Sequence, residues 1–211
     1  NTYIHYRFRR GFMKTFNFIM LIISFTAQTV FADSDWIGRS HAGAFSGISI
    51  VNNNIWAVGF DGTIVFSPDG GINWETQESG VNEDLTDVYF VNENTGWAVG
   101  GHATILFTSN GGLEWVTQDS PLDDFYEISG IHFTATETGY AVAPNYNTMA
   151  SAIIKTTDSG QNWEITASPD AWLEDIFFVD ETDGWAVGVD YMNGQNVIFK
   201  TSDAGSTWEP Q

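Results

Sequence analysis

The chain has 211 residues, of which 27 are acidic and seven are Lys or Arg, giving a formal net charge of −20 at pH 7. This balance disfavours nucleic acid and anionic membranes as partners, because contacts to phosphate need Lys and Arg. The absence of Cys excludes disulfides, thiol nucleophiles and thiolate metal sites. Four scattered His residues and no phosphate-binding Gly loop predict neither a metal nor a cofactor.

Residues 1–32 have the pattern of a leader. Met13-Lys14 is followed by an apolar run over 16–25 and by Val30-Phe31-Ala32. This pattern predicts a secretory signal peptide cleaved after Ala32, with residues 1–12 lying upstream of the first plausible start. The alternative is a longer basic leader or a retained anchor. Cleavage would leave three cations against 27 acidic residues, a net charge of −24, on an exported protein without a membrane span. Its expected location is periplasmic, cell-surface or extracellular.

The segment 33–45 comes next and contains Trp36. It resembles a lone outer strand carrying its Trp, placed before the first repeat. We interpret it as a strand that closes a longer ring. The alternative is a flexible linker.

An eight-residue signature, [Ser/Thr]-x-[Asp/Asn]-x-Gly-x-x-Trp, then occurs four times. Its Trp residues are 41, 48 and 45 positions apart. A repeat of this length with Gly turns is typical of a β-propeller blade. We interpret the signature residues as structural: Asp or Asn accepts backbone N–H bonds in a tight turn, Gly allows a positive φ, and Trp packs between blades. They are Ser67, Asp69, Gly71, Trp74; Thr108, Asn110, Gly112, Trp115; Thr156, Asp158, Gly160, Trp163; and Thr201, Asp203, Gly205, Trp208.

A second marker, Gly-Trp-Ala-Val-Gly or a close variant, recurs in phase with the signature, with its aromatic residue at Trp56, Trp97, Tyr140 and Trp185. Each repeat divides into four short strands rich in β-branched and aromatic residues. We therefore predict an all-β propeller of four-stranded antiparallel blades over about 46–77, 86–118, 129–165 and 175–211. The geometry is typical of a larger ring of about seven blades, of which these four are a truncated part.

The variable loops at one end of the predicted blades suggest a binding face. The loops between the second and third strands, and those that join successive blades, share one end of a propeller. They carry aromatic residues beside Asn and Asp, which suits a peptide strand or a sugar face. The alternative is that these rings pack onto their own loops. The candidate residues are His102, Phe125, Tyr126, Tyr146, Trp172 and Tyr191.

The segments Leu85–Gly100 and Thr104–Trp115 resemble the family of photosystem II assembly and stability factors, within the Asp-box (sialidase-type) repeat superfamily. The resemblance extends over 43–211. It implies a propeller that docks on a photosystem subunit through an Arg-rich patch, whereas Arg39 is the one Arg of the predicted mature chain. Sialidases of the same superfamily use three arginines to grip a carboxylate, so sialidase chemistry is not predicted here.

These observations predict an exported, non-enzymatic propeller that serves as a protein-binding or assembly scaffold. The expected partner is a protein or peptide, and a glycan is the second choice. The alternative function is the N-terminal part of a glycan-binding or glycoside-hydrolase propeller, which would need polar groups converging in its channel. No oligomeric state is predicted.

Overall fold

The computed structural model describes residues 44–211, and the regular elements in this part of the chain are all β-strands. The predicted signal peptide and nearly all of segment 33–45 lie outside the described residues. No helix in the described part is long and apolar enough to cross a membrane. The strands are β1 (Phe45–Val51), β2 (Asn54–Gly59), β3 (Ile64–Ser67), β4 (Glu75–Gln77), β5 (Leu85–Phe90), β6 (Gly96–Gly100), β7 (Ile105–Thr108), β8 (Val116–Thr117), β9 (Gly130–Phe133), β10 (Gly139–Pro144), β11 (Ser151–Thr156), β12 (Glu164–Ala167), β13 (Trp172–Phe178), β14 (Gly184–Asp190), β15 (Gln195–Thr201) and β16 (Glu209–Pro210).

The strands form four antiparallel sheets, each built from four strands that are consecutive in the sequence. We call these sheets blades 1 to 4, and each one contains a single sequence repeat. Each blade packs against the next, and the described residues do not close the array into a ring. The prediction of an all-β fold made of four-stranded propeller blades is confirmed.

Burial falls from the inner strands to the fourth strand of a blade. In blade 2, every residue of β6 is buried, because a neighbouring blade covers each face of this strand. The fourth strand, β8, is exposed along its length. Small and β-branched residues in the Trp-Ala-Val segment allow this close approach of two blades. The hydrophobic core of the protein is therefore a series of junctions between blades.

Each junction is built on the same three aromatic positions. The second-strand aromatic ring of one blade stacks on a Phe at the end of the first strand of the next blade, at centroid distances of 3.6 to 3.9 Å. The signature Trp of that next blade meets the same Phe edge-on, at 5.8 to 6.0 Å. The three sets are Trp56, Phe90 and Trp115; Trp97, Phe133 and Trp163; and Tyr140, Phe178 and Trp208.

A hydrogen bond accompanies each of these stacks. The Nε1 of Trp56 donates to the carbonyl of Gly111, and the Nε1 of Trp97 donates to that of Ser159, over 3.0 and 3.2 Å. The hydroxyl of Tyr140 donates to the carbonyl of Ala204 over 3.0 Å. All three acceptors lie in the signature turn of the following blade. The polar tip of each buried ring is thus satisfied by the turn next to it.

The signature turns are held by their own side chains. In the first copy, the Asp69 carboxylate accepts the N–H groups of Ile72 and Asn73 over 3.0 and 2.8 Å. The Ser67 hydroxyl accepts the N–H of Gly71, whose φ is +93°. In the second copy, the Asn110 side-chain oxygen accepts the N–H of Glu114 over 3.0 Å. An amide can thus replace the carboxylate, as expected of an acceptor rather than an acid catalyst.

Trp74 differs from the other signature tryptophans. Its side chain is 45% exposed, whereas Trp115 and Trp163 are buried. Within the described residues no blade precedes blade 1, so its ring has no neighbouring second strand to cover it. The prediction that every signature Trp is buried between blades is therefore wrong at this position.

The carboxylates of the signature turns make the stability of the fold depend on pH in the acid range. The Asn73 backbone N–H and the Asn162 side-chain amide are the main groups that lower the pKa of Asp69 and Asp158. The Thr207 hydroxyl is the main group that lowers the pKa of Asp203 to about 2. Because these pKa values lie below those of the unfolded chain, the stabilisation is complete above about pH 4 and is lost as the pH falls toward about 2.

We expect the combined variant Asp69→Asn, Asp158→Asn and Asp203→Asn to lose less stability than the wild type between pH 4 and pH 2, since an amide does not titrate there. Urea unfolding at several pH values measures this difference. A variant with Glu75→Gln, Glu164→Gln and Glu209→Gln controls for the change in net charge. Equal acid slopes for the wild type and the turn variant would contradict the prediction.

Candidate functional site

The six residues predicted to bind a ligand all lie at the same end of the blades. They belong to the loops between second and third strands, to the segments that join successive blades, or to the first residue after such a segment. Their distribution is His102 in the β6–β7 loop, Phe125 and Tyr126 between blades 2 and 3, Tyr146 in the β10–β11 loop, Trp172 at the start of β13, and Tyr191 in the β14–β15 loop. Their role in binding stays a prediction.

Three of these residues form a continuous aromatic row. The ring of Trp172 lies 5.1 Å from that of Tyr146 and 6.0 Å from that of Tyr191, and both contacts are edge-on. Trp172 is held in place as the first residue of β13, where it pairs with Val189 of β14. Tyr146 and Tyr191 are 49% and 57% exposed. The row therefore offers ring surface to solvent while it keeps a fixed spacing.

Phe125 and Tyr126 continue the surface toward blade 2, but in different ways. The carbonyl of Phe125 accepts the N–H of Tyr146 over 3.1 Å, and the Phe125 ring is mostly exposed. Tyr126 forms an isolated bridge with Asn145, and its ring packs against the core between blades 2 and 3. Phe125 thus belongs to the surface, whereas Tyr126 fits the alternative in which a loop aromatic packs inward.

His102 lies at the far side of this surface, in a tight loop. It has a φ of +52°, and Ala103 next to it has a φ of +53°. The N–H of Ala103 donates to the carbonyl of Tyr126 over 2.9 Å, which ties this loop to the segment that carries Phe125. The loops of blades 2, 3 and 4 are therefore connected through backbone bonds and ring contacts.

The structure adds three residues that the sequence reasoning missed. Met149 and Met192 lie in the same two loops as Tyr146 and Tyr191, and Met192 is 89% exposed. Methionine is a flexible apolar side chain that adapts to irregular partners. Glu127 receives a short hydrogen bond from the Tyr146 hydroxyl, which orients that ring. The sequence signal was the position of the two Met residues inside the β10–β11 and β14–β15 loops.

The carboxylate of Asp190, in the same loop as Tyr191, stays ionised. The side-chain amide of Asn193 is the main group that lowers the pKa of Asp190, with help from the N–H groups of Asn193 and Met192. The described residues contain two basic side chains besides His, and both lie elsewhere: Lys155 donates to the signature turn of blade 4 and Lys200 pairs with Asp183. The loop surface therefore combines apolar rings with negative charge.

A cavity of about 710 Å³ lies at the inner strands, near the opposite end. His132 lines it, with its ring 5.0 Å from Tyr89 and 4.8 Å from Phe177. The cavity's carboxylates are neighbours in sequence, Asp180 and Glu181. The N–H of Asp183 is the main group that lowers the pKa of Asp180, so this carboxyl is a poor proton donor near neutral pH. Among residues 44–211, no group of three or more His, Asp or Glu side chains is placed to hold a metal.

Comparison with known families tests the predicted resemblance. Residues 72–170 match the family model described as photosynthesis system II assembly factor YCF48. The predicted family resemblance is confirmed. The match runs from the signature turn of blade 1 to the end of blade 3, and this part of the chain contains one complete aromatic junction and four of the six candidate binding residues. No curated protein sequence matches this chain at a significant level.

Solved structures match mainly at the level of the fold. A structure of YCF48 bound to a D1 peptide shares 17% identity over 80% of this chain and 82% of its own, with a TM-score of 0.49. The GH74 enzyme of Niastella koreensis shares 18% identity over 75% of this chain and 28% of its own, with a TM-score of 0.55. The GH74 xyloglucanase of Xanthomonas campestris shares 11% identity over 79% and 29%, with a TM-score of 0.58. The chain thus spans less than a third of either GH74 protein.

Proposed function

We propose that this protein is an exported, non-enzymatic propeller that binds a segment of another protein through the loop surface of blades 2 to 4. The observation that carries the proposal is the exposed row of Tyr146, Trp172 and Tyr191, which has a fixed spacing and neighbouring methionines. The match to an assembly-factor family supports a protein partner. Rigid aromatic rings are the side chains that most often anchor protein interfaces.

The charge of the surface narrows the kind of segment that it would bind. Aromatic rings beside the ionised Asp190 favour a peptide that offers apolar or aromatic side chains together with Lys or Arg. Binding of such a peptide should weaken as salt is raised, because exposed charge pairs are screened. An acidic segment would be repelled.

Panning a phage-displayed random peptide library on the protein tests this proposal. We expect the selected peptides to be basic and aromatic. The double variant Tyr146→Ala and Tyr191→Ala should bind them at least about tenfold more weakly, because truncation of an interface anchor costs more than about 1 kcal/mol. The affinities are measured by isothermal titration calorimetry, with unfolding curves to show that the fold is intact.

The matched control removes two exposed apolar side chains from the other end of the blades. Ile72 and Leu113 lie in signature turns and are 80% and 84% exposed. The variant Ile72→Ala with Leu113→Ala should therefore bind the selected peptides as the wild type does. Unchanged affinity in the Tyr146 and Tyr191 variant, or an equal loss in the control, would place the binding surface elsewhere.

A glycan is the second candidate ligand, because exposed aromatic rings also stack on sugar faces and GH74 propellers share the fold. Xyloglucan oligosaccharides serve as the probe in the same calorimeter. Binding of these sugars, with loss in the Tyr146 and Tyr191 variant and no peptide selected, would favour the glycan over the peptide.

A further inference from the structure

Glu127 and Tyr146 are held side by side at one end of the aromatic row. The N–H of Glu127 donates to the carbonyl of Pro144, at the end of β10, over 3.0 Å. The N–H of Tyr146 donates to the carbonyl of Phe125 over 3.1 Å, so the two segments run alongside each other. The Glu127 carboxylate accepts the hydroxyl of Tyr146. Backbone and side-chain bonds thus fix a carboxylate next to an exposed ring before any ligand binds.

The loop that carries Tyr146 is closed by its own hydrogen bonds. The side-chain oxygen of Asn145, a buried residue, accepts the N–H groups of Asn147 and Thr148 over 2.9 and 3.2 Å. The N–H of Asn145 donates to the carbonyl of Ala150 over 2.8 Å. A ligand therefore meets the Tyr146 ring in a fixed position, and binding costs little free energy for the ordering of this loop.

Each Lys of the described residues lies over an aromatic ring and also contacts an oxygen acceptor. Lys155 Nζ is 5.3 Å from the centre of the Tyr140 ring and donates over 2.8 Å to a carbonyl of the blade 4 signature turn. Lys200 Nζ is 5.3 Å from the centre of the Trp185 ring and 3.1 Å from a carboxylate oxygen of Asp183. In both places an aromatic ring with an acceptor beside it attracts a cation.

The aromatic row has the same two components. The rings of Tyr146 and Trp172 meet edge-on, and Tyr146 is about half exposed. The half-buried Glu127 supplies the oxygen, and a carboxylate has enough lone pairs to accept a cation beside the Tyr146 hydroxyl. Lys155 and Lys200 lie at the signature-turn end of the blades, so residues 44–211 place no Lys or Arg on this row. In the proposed complex, the bound peptide can supply that cation.

We propose that this part of the surface selects an arginine of the bound peptide over a lysine, and that Glu127 is the residue that selects it. The proposal rests on the proposed function, because it names the side chain that the loop surface takes from its partner. A guanidinium is planar, so it can lie on the ring of Tyr146 or Trp172 while its N–H groups point in its own plane toward the Glu127 carboxylate. The ammonium of lysine is compact and strongly hydrated, so it gains less from the ring.

Panning a displayed peptide library in which one position is Arg or Lys at equal frequency is the first test. The other positions are random, and the wild-type protein is the target. We expect Arg to be recovered at least about fivefold more often than Lys, because ring stacking and paired N–H bonds to a carboxylate favour the guanidinium.

A double-mutant cycle then tests the contact with Glu127. The most enriched peptide is synthesised with its arginine and with citrulline, which has nearly the same shape and no charge. Calorimetry compares the wild type with Glu127→Gln, whose side-chain carbonyl can still accept the Tyr146 hydroxyl. We expect citrulline to weaken binding about tenfold or more with the wild type, and about threefold or less with Glu127→Gln, because the variant has lost the charged partner of the arginine.

The matched control is Asp124→Asn, which removes a negative charge from the same segment, three residues before Glu127. It should keep the full difference in affinity between the arginine and citrulline peptides, because a direct contact is lost only with Glu127. Unfolding curves of both variants show whether the fold is intact. An Asp124→Asn variant with as small a difference as Glu127→Gln would overturn the proposal, since the net charge of the loops would then explain the effect.

Two further outcomes would also overturn the proposal. One is a loss of both peptides by the same factor in Glu127→Gln, which would mean that Glu127 only orients Tyr146. The other is equal recovery of Arg and Lys from the library. In these cases peptides still bind and are still lost with Tyr146→Ala and Tyr191→Ala, so the proposed function stands. Selection of no peptide, or of peptides that this double variant binds as the wild type does, would overturn both proposals.

Discussion

Replacing Trp97 by alanine is expected to lower the free energy of unfolding by about 3 to 5 kcal/mol, the usual cost of truncating a buried large aromatic side chain. Trp97 is fully buried and stacks on Phe133 at 3.6 Å. Its Nε1 donates to the carbonyl of Ser159, which also receives the Nε2 of Gln118 over 2.9 Å. The cost should therefore come from the lost ring contacts and the cavity, because the carbonyl keeps a donor.

The control for this prediction is the equivalent residue of blade 4. Trp185→Ala removes the same side chain at the same place in the repeat, but from a face that is open to solvent. It should cost clearly less than Trp97→Ala, because Trp185 is only partly buried and some of the lost surface was never removed from water. Urea unfolding followed by far-ultraviolet circular dichroism measures both variants. Equal losses would mean that the junction between blades 2 and 3 does not provide the stability that its packing indicates.

Replacing Gly100 by alanine is expected to cost up to about 3 kcal/mol, in the range of overpacking substitutions. A methyl group at this position would lie 2.1 Å from the Asp84 carbonyl oxygen and 2.9 Å from the Cα of Leu85. Both contacts are to backbone, so β5 would have to move. The close approach arises because the pairing of β5 with β6 contains an irregularity between Leu85 and Asp87.

The adjacent glycine is the control. A methyl group on Gly101 would lie 3.8 Å from the same Asp84 oxygen, which is an ordinary contact. Gly101→Ala should therefore change the free energy of unfolding by less than about 0.5 kcal/mol. Denaturant unfolding of both variants shows whether glycine is needed at position 100 alone or whether this turn tolerates a methyl group at neither position. A neutral Gly100→Ala variant would show that β5 can shift at little cost.

Blade 3 supports this explanation of Gly100. Its second strand has Ala143 at the position where the other blades have Gly59, Gly100 and Gly188. The pairing of β9 with β10 runs without a shift of register, whereas the first strands of the other blades contain one. The glycine is thus required by the irregular first strand, a relation visible only once both strands are in place.

The sequence predicted which residues lie at this end of the blades, but it did not predict which of their rings touch each other. The repeat places Tyr146, Trp172 and Tyr191 at one end of the blades because antiparallel strands alternate in direction. That their rings meet at 5.1 and 6.0 Å depends on how blades 3 and 4 pack. The packing of blade 2 on blade 3 turns Tyr126 inward, although its sequence neighbour Phe125 stays exposed.

The sequence by itself determined the repeat, the four strands of each blade and the chemistry of the signature turn. These follow from local rules, because the period-two pattern, the Gly of each turn and the side-chain acceptor at Asp69 or Asn110 act within a few residues. Only the tertiary structure decided which tryptophans are buried. Trp97 and Trp185 occur in the same five-residue motif, yet Trp97 is fully buried under the following blade and Trp185 is only partly buried. Burial depends on what packs against a residue, and that contact lies more than 30 positions away along the chain, as with Trp97 and Phe133.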